Sequence, residues 1–269
     1  MEYKILEQEV GTVHYWVTGS GENCIVFTHG ATMDHGLFAD QVDYFSKDYK
    51  VILWDVPMHG ASRPYDNFSL QGAANALIDM LDAEQIEQAH LVGQSMGGYI
   101  CQYAARDYPE RVKSVTALDS SPLQPSYYSA MDNWLLALTP AILKVYPYNS
   151  LIKTIATQIA KTERAKDYAL RTLKTYPKAE IIAIMDVVYQ GVRDYGEETV
   201  LSQPLLIVYG DGDRTGKVQT YSNKWAKNED RPLVVIPDAW HNANMDNPET
   251  FNRVLDDFLK KVDDATSPS

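Results

Sequence analysis

Only two cysteines, Cys24 and Cys101, occur in this chain of 269 residues. They lie in apolar stretches without the spacing of a metal or redox motif, so we expect two buried thiols.

Long hydrophobic runs are also absent from the sequence. No apolar stretch reaches the roughly 18 residues of a membrane-spanning helix, which argues against membrane insertion. The first residues lack the basic region and apolar block of a signal peptide, so we expect a cytoplasmic protein.

The chain has fewer basic than acidic residues. Lys and Arg number 24 against 36 Asp and Glu, which gives a formal net charge of −12. A surface of this sign repels phosphate backbones and anionic lipids, so we expect no nucleic-acid partner. No phosphate-binding glycine-rich loop or dinucleotide fingerprint is present. Asp55 and His59 lie four residues apart, but no third ligand follows at a metal spacing. We therefore expect neither a metal nor a cofactor.

Short apolar runs recur along the chain and are typical of strands buried on both faces. Helical patterns separate most of them, and this alternation predicts an α/β protein with a mostly parallel, doubly wound sheet. The predicted strands cover residues 5–10, 13–18, 24–28, 51–54, 90–92, 112–118, 205–209 and 233–236. The predicted helices cover residues 70–81, 96–107, 217–227 and 249–262, and a frayed tail begins at Asp263.

One segment, from about residue 122 to 195, contains no convincing strand. Ile181, Met185 and Val188 recur there at helical spacing, so the sequence predicts a helical insertion between two sheet strands. This segment holds eight of the eighteen tyrosines. These tyrosines either pack the insertion onto its base or line an apolar pocket with a polar rim.

The strongest chemical signal is the run Gly93-Gln94-Ser95-Met96-Gly97, placed between a predicted strand and a predicted helix. Glycines two residues before and after the serine allow a sharp strand-to-helix turn. Such a turn exposes the hydroxyl beside the N–H groups at the start of the helix. We therefore interpret Ser95 as a nucleophile.

A serine hydroxyl needs a base, and a buried carboxylate must orient that base. His241 follows the predicted strand 233–236 and lies at the carboxyl edge of the sheet, where open α/β sheets place their sites. Asp211 and Asp213 both follow the strand 205–209 at the same edge, and spacing alone does not separate them. We interpret Asp119, after the strand 112–118, as a turn or cap before the insertion.

A backbone N–H just beyond Gly30 follows a buried strand and can face Ser95, and the Met96 N–H lies directly after the nucleophile. These two donors are candidates for an oxyanion hole. We expect His29 to be a structural hydrogen-bonding group. The candidate substrate-pocket residues are His35, Tyr127, Tyr128 and Trp240.

With these motifs in hand, the chain resembles the α/β-hydrolase superfamily, and within it the single-domain serine hydrolases with a helical cap. The resemblance covers roughly residues 10 to 262. The matching motifs, in order, are His29-Gly30, the segment 55–62, the Ser95 turn, Gly210-x-x-Asp213 and His241.

This resemblance implies an α/β-hydrolase core over residues 1–121 and 196–269, with a helical cap over 122–195 inserted after the sixth strand. It also favours Asp213 over Asp211 as the acid. The first oxyanion donor becomes Ala31, the residue after the His-Gly pair.

A serine nucleophile argues against haloalkane dehalogenases and epoxide hydrolases, which share the layout but use aspartate. We predict a carboxylesterase for small or medium uncharged esters, working through an acyl-enzyme and without a cofactor. One alternative keeps the same triad: a monoacylglycerol lipase, thioesterase, peptidase or carbon–carbon bond hydrolase. Another is a ligand receptor with the hydrolase fold and little turnover. The oligomeric state stays open.

Overall fold

One eight-stranded sheet runs through this computed structural model, which describes residues 1–266. The strands are β1 (Glu2–Gln8), β2 (Gly11–Thr18), β3 (Cys24–Thr28), β4 (Lys50–Asp55), β5 (Ala89–Gln94), β6 (Val112–Leu118), β7 (Leu205–Gly210) and β8 (Leu233–Ile236). Their order across the sheet is β1-β2-β4-β3-β5-β6-β7-β8. Strand β2 pairs antiparallel with β1 and β4, whereas the other neighbours pair parallel. The predicted mostly parallel sheet is confirmed.

Helices flank this sheet. They are α1 (Ala39–Phe45), α2 (Leu70–Ala83), α3 (Met96–Asp107), α4 (Ala130–Val145), α5 (Tyr148–Ile159), α6 (Glu163–Leu173), α7 (Lys178–Asp194), α8 (Val218–Glu229), α9 (Ala243–Asp246) and α10 (Pro248–Thr266). Every residue of β3, β5 and β7 is buried, as expected for central parallel strands with helices on both faces. Both cysteines are buried free thiols in this core, as predicted.

The largest extensions beyond the predicted ends are at the start of β1 and at the end of α10. Strand β1 begins at Glu2, because its antiparallel pairing with β2 continues past the apolar stretch. Helix α10 continues through Thr266, where the sequence predicts fraying. Asp263 holds this last turn, since its carboxylate accepts a hydrogen bond from Tyr49 and pairs with Lys113. The rest of the predicted frayed tail, 267–269, lies outside the described residues.

Four helices, α4 to α7, lie between β6 and β7, where the sequence predicts the insertion after the sixth strand. Helix α4 has no counterpart among the predicted patterns, because its apolar residues do not follow one clear stripe. It begins with a capping box formed by Ser129 and Asp132 and contains Pro140. Its large exposed apolar side chains are Met131, Trp134, Leu135, Leu138, Ile142 and Val145.

Among residues 1–266, no helix combines the length and apolar character needed to cross a bilayer. The cytoplasmic location stays a prediction from the sequence.

Candidate active site

Ser95 lies at the tight turn between β5 and α3. Its backbone has φ of 52° and ψ of −115°, a left-handed conformation that a non-glycine residue rarely adopts. The Ser95 N–H donates to the Leu118 carbonyl at 2.9 Å, which fixes the turn against the end of β6. A side chain at Gly97 would overlap the Thr28 carbonyl, and one at Gly93 would overlap the backbone of Gly97. The glycines of the motif therefore allow the close packing that supports this conformation.

His241 and Asp213 form a buried pair at the same edge of the sheet. The distance from His241 Nδ1 to Asp213 Oδ2 is 2.9 Å. The other carboxylate oxygen of Asp213 accepts from the Thr215 N–H at 2.8 Å. Burial opposes ionisation of Asp213, but His241 and the Thr215 N–H outweigh it and lower the pKa of this carboxyl. The ionised carboxylate accepts from Nδ1–H and leaves Nε2 free to accept a proton.

Asp211, the competing carboxylate, has a different set of contacts. It is exposed, and its oxygens accept from the backbone N–H groups of Asp238 and Ala239 at 3.0 and 3.2 Å. It thus stabilises the turn that leads to His241 and makes no hydrogen bond with the imidazole. The geometry separates two residues that sequence spacing leaves equivalent.

Asp119 is more than the turn or cap predicted from the sequence. It is fully buried, and its carboxylate accepts from the Gly210 N–H at 2.8 Å and the Ala243 N–H at 3.1 Å. These groups belong to the segments that carry Asp213 and His241. Burial, and then the nearby Asp213 carboxylate, raise the pKa of Asp119 well above its ordinary value. Its position after β6, at the carboxyl edge, was the available signal for this role.

Asp119, Asp213 and His241 are also the one group of three ligand-type side chains found close together in residues 1–266, with their ligand atoms within 4.8 Å of one another. All four carboxylate oxygens accept hydrogen bonds, three from backbone N–H groups and one from His241. The cluster is therefore internally hydrogen-bonded, and each of its carboxylate oxygens has a protein partner.

The candidate oxyanion donors come from two separate segments. Ala31 follows β3, and Met96 is the first residue of α3. Neither backbone N–H donates a hydrogen bond to another of the described residues. The Met96 N–H also lies at the positive end of the α3 dipole, which favours a developing negative charge.

Two cavities meet at Ser95 and His241. The first has a volume of about 470 Å³ and extends towards Arg214, Trp240 and Asn242. The second, of about 260 Å³, extends under α4 and α7 towards Tyr99, Tyr128 and Tyr221. The residues that border both are Ala31, Ser95, Met185, Tyr189, Thr215, Gly216 and His241. The candidate nucleophile and base therefore stand at the junction of two differently lined arms.

The four candidate pocket residues do not share one environment. Trp240 borders the first cavity and Tyr128 the second, whereas Tyr127 is buried and borders neither. His35 also lies away from both cavities. Its ring stacks on Trp16 with centroids 3.6 Å apart.

The reason for the position of His35 is a buried carboxylate at the end of β4. Asp55 accepts from both the N–H and the Nδ1–H of His35, each at 2.8 Å. His29 makes the hydrogen bonds expected of it: its Nε2 accepts from the Val56 N–H at 3.0 Å, and its Nδ1 lies 2.8 Å from the Gly30 carbonyl.

The loop that carries His241 is also bonded to the insertion. The Asn242 N–H donates to the Ile159 carbonyl at the end of α5, at 2.8 Å. The Asp246 carboxylate accepts from the N–H groups of Lys161 and Thr162, both at 2.8 Å. The insertion is thus held directly on the segment of the candidate base.

Comparison with known proteins places these features in a family. A family model described as the alpha/beta hydrolase fold matches residues 23–248. A pimeloyl-[acyl-carrier protein] methyl ester esterase from Yersinia enterocolitica is 27% identical over 264 residues, which cover 92% of this chain and 97% of that protein. A 2-hydroxy-6-oxononadienedioate/2-hydroxy-6-oxononatrienedioate hydrolase from Burkholderia vietnamiensis is 27% identical over 277 residues, with 93% and 91% covered. A solved structure of a hydrolase from Pseudomonas aeruginosa has a TM-score of 0.81 at 18% identity, covering 96% of this chain and 98% of that one.

Proposed function

The chain belongs to the alpha/beta hydrolase fold family, and on this premise we propose that it is a serine hydrolase that cleaves carboxylic esters. One observation carries the proposal. His241, whose Nδ1 lies 2.9 Å from Asp213 Oδ2, borders the same two cavities as Ser95 on its left-handed turn. The chain order of serine, aspartate and histidine agrees with the order in this fold.

In the proposed reaction, the Ser95 hydroxyl attacks the ester carbonyl while His241 Nε2 takes its proton. His241 then gives this proton to the leaving alcohol, and an acyl-enzyme remains on Ser95. Water releases the acid with His241 again acting as base. Asp213 holds the imidazole in the productive tautomer and stabilises its protonated form.

The tetrahedral intermediate carries a negative oxygen, which we assign to the N–H groups of Ala31 and Met96. Both lack acceptors among the described residues, so neither has to break an existing hydrogen bond to receive the oxyanion. One such donor is typically worth about 2.7–4 kcal/mol of barrier.

We further propose that residues 122–195 act as a cap on a core formed by 1–121 and 196–269. Helices α4 and α7 contribute walls to both cavities, with Leu143 in the first, Leu135 in the second and Met185 in both. Several contacts hold this segment on the core, among them the ion pair of Arg63 with Glu180. Such a cap limits the access of bulk water to the acyl-enzyme and shapes the pockets for acid and alcohol.

The two relatives differ in the chemistry that their names describe. The Yersinia protein is named as a methyl ester esterase, which supports ester cleavage here. The Burkholderia protein is named for hydrolysis of a dienedioate and not of an ester. A carbon–carbon bond hydrolase that uses the same three residues is therefore the second candidate.

Labelling with a fluorophosphonate tests the proposal. We expect rapid modification of Ser95, measured by intact mass and peptide mapping, and none in Ser95→Ala. Ser121→Ala is the matched control, because Ser121 borders the second cavity and should not be labelled. A panel of esters and vinylogous ketones then separates the two candidates by kcat/KM. Absence of labelling in folded protein would contradict an activated serine and favour a receptor with little turnover.

A further inference from the structure

Among residues 1–266, Arg214 is the only permanently charged side chain that borders the first cavity. It follows Asp213 and is exposed, but its guanidinium makes no hydrogen bond or ion pair with any residue in 1–266. The chain has a net charge of −12. Five other arginines of the described chain have acidic partners, for example Arg164 with Asp40 at 2.6 Å. Three more, Arg171, Arg193 and Arg253, also have no acidic partner there, but they border neither cavity.

Asn242 gives a second, independent observation on the same cavity. It is 1% exposed and directly follows His241, yet neither Oδ1 nor Nδ2 of its side chain has a hydrogen-bond partner in the described residues. A buried amide without partners is costly, and most such groups in native proteins are satisfied. A polar ligand group in the first cavity would supply the missing partner.

The second cavity has the opposite character. Its far part is lined by Leu135, Leu136, Val188 and Val192 together with tyrosines. Its one cation, Lys217, is neutralised by Asp132, with 2.5 Å between Nζ and Oδ1. An anionic group therefore finds an unpaired cation in the first cavity and none in the second.

We propose that the first cavity binds a carboxylate of the substrate through Arg214, with the Asn242 amide as a further donor. The substrate is then an ester that also bears a free carboxylate, such as a half-ester of a dicarboxylic acid, and its apolar part occupies the second cavity. A guanidinium matches a carboxylate with two parallel hydrogen bonds. This inference rests on the proposed function, and it replaces the uncharged esters expected from the sequence with charged ones.

The test compares half methyl esters of dicarboxylic acids with five to eight carbons against methyl esters of the monocarboxylic acids of equal length. We expect wild-type protein to prefer the half-esters in kcat/KM. In Arg214→Gln this preference should fall by about tenfold or more, because the charge-assisted contact with the carboxylate is lost at a site open to water. Arg214→Lys should retain part of it. Because the interaction is ionic and exposed, the preference should also weaken in 0.5 M salt.

The matched control is Arg253→Gln. It removes the same charge from an exposed position of α10 that borders neither cavity, so the preference should stay at the wild-type value. A wild-type preference for the neutral esters would overturn the proposal. So would a loss in Arg214→Gln that is equal for both series.

A binding measurement tests the carboxylate site independently of whether the protein cleaves esters. Ser95→Ala is titrated by calorimetry with monomethyl glutarate and with methyl pentanoate, and the same is done in Ser95→Ala/Arg214→Gln. Tighter binding of the glutarate half-ester that disappears with Arg214 supports the carboxylate site even if no ester is turned over. Equal binding of both esters rejects the site, even if Ser95 reacts with the fluorophosphonate.

Discussion

The carboxyl edge of the sheet and the first helix of the insertion lie on opposite sides of the same cavities, and they are built differently. At the sheet edge, Asp119, Asp213 and His241 are buried, and every carboxylate oxygen among them accepts a hydrogen bond. Helix α4 contributes mainly apolar contacts and leaves large side chains such as Trp134 and Val145 exposed. Directional bonds thus fix the proposed catalytic groups, whereas less specific apolar packing shapes the space around them. Substitutions at the sheet edge should lower activity strongly, whereas substitutions on α4 should have smaller effects.

The largest effect is expected at Ser95, the proposed nucleophile. Ser95→Ala should lower kcat by about 10³-fold or more, because no other group supplies the attacking oxygen. The far-ultraviolet circular dichroism and the thermal midpoint should stay close to those of wild type. Ester turnover that survives at a tenth of the wild-type rate would assign the nucleophile elsewhere.

The two aspartates after β7 form the next comparison. Asp213→Asn should reduce kcat by about 10²-fold or more, since an amide does not hold the imidazole in the productive tautomer. Asp211→Asn should cost less than about tenfold, because Asp211 only accepts hydrogen bonds from the turn before His241. Steady-state kinetics of both variants on one ester measures the two losses in kcat. Equal losses would remove the assignment of the acid.

Asp119 should show its role in the pH dependence of stability. The pKa of Asp119 is raised in the folded protein. The free energy of unfolding of the wild type should therefore fall as the pH rises above the ordinary carboxyl range, because the unfolded chain ionises this group more readily than the folded protein does. The stability of Asp119→Asn relative to wild type should therefore increase from pH 4 to pH 8. Urea unfolding at several pH values measures this difference, and a difference that does not vary with pH would contradict the raised pKa. Asp119→Ala should also lower kcat, because the Gly210 and Ala243 N–H groups lose their acceptor.

The smallest effects belong to the outer face of α4. Trp134 is 58% exposed and borders neither cavity, so Trp134→Gln should change the free energy of unfolding by less than about 0.5 kcal/mol. Leu136→Ala on the same helix alters the wall of the second cavity and should shift the preferred acyl length. Chemical denaturation and a graded ester series separate the two. A large destabilisation by Trp134→Gln would show that the outer face has a partner.

Features that depend on residues close in sequence could be predicted from the sequence alone. Helix α3 has the bounds predicted for it, 96–107, because its apolar spacing and the glycines before it are local signals. The Ser95 turn and the placement of His241 after β8 also follow from residues close in sequence.

Other features depend on contacts between distant segments. Asp119 acquires its role from the N–H groups of Gly210 and Ala243, 91 and 124 residues further along the chain. The sequence predicts His35 as a pocket residue, but in the structure its imidazole is hydrogen-bonded to the buried Asp55 carboxylate, away from both cavities. The sequence does not reveal helix α4, because a helix that is apolar on several sides gives no clear periodic pattern. Arg214 lies next to the predicted acid, but only the cavity shows what its charge faces.

The hydrogen bond from the Asn242 N–H to the Ile159 carbonyl has a consequence for engineering the insertion. The residue next to the proposed base is bonded to a backbone carbonyl at the end of α5, so a displacement of that end would strain the segment that carries His241. An insertion grafted from another protein would therefore need a carbonyl at the position of Ile159 to hold this segment in the same way.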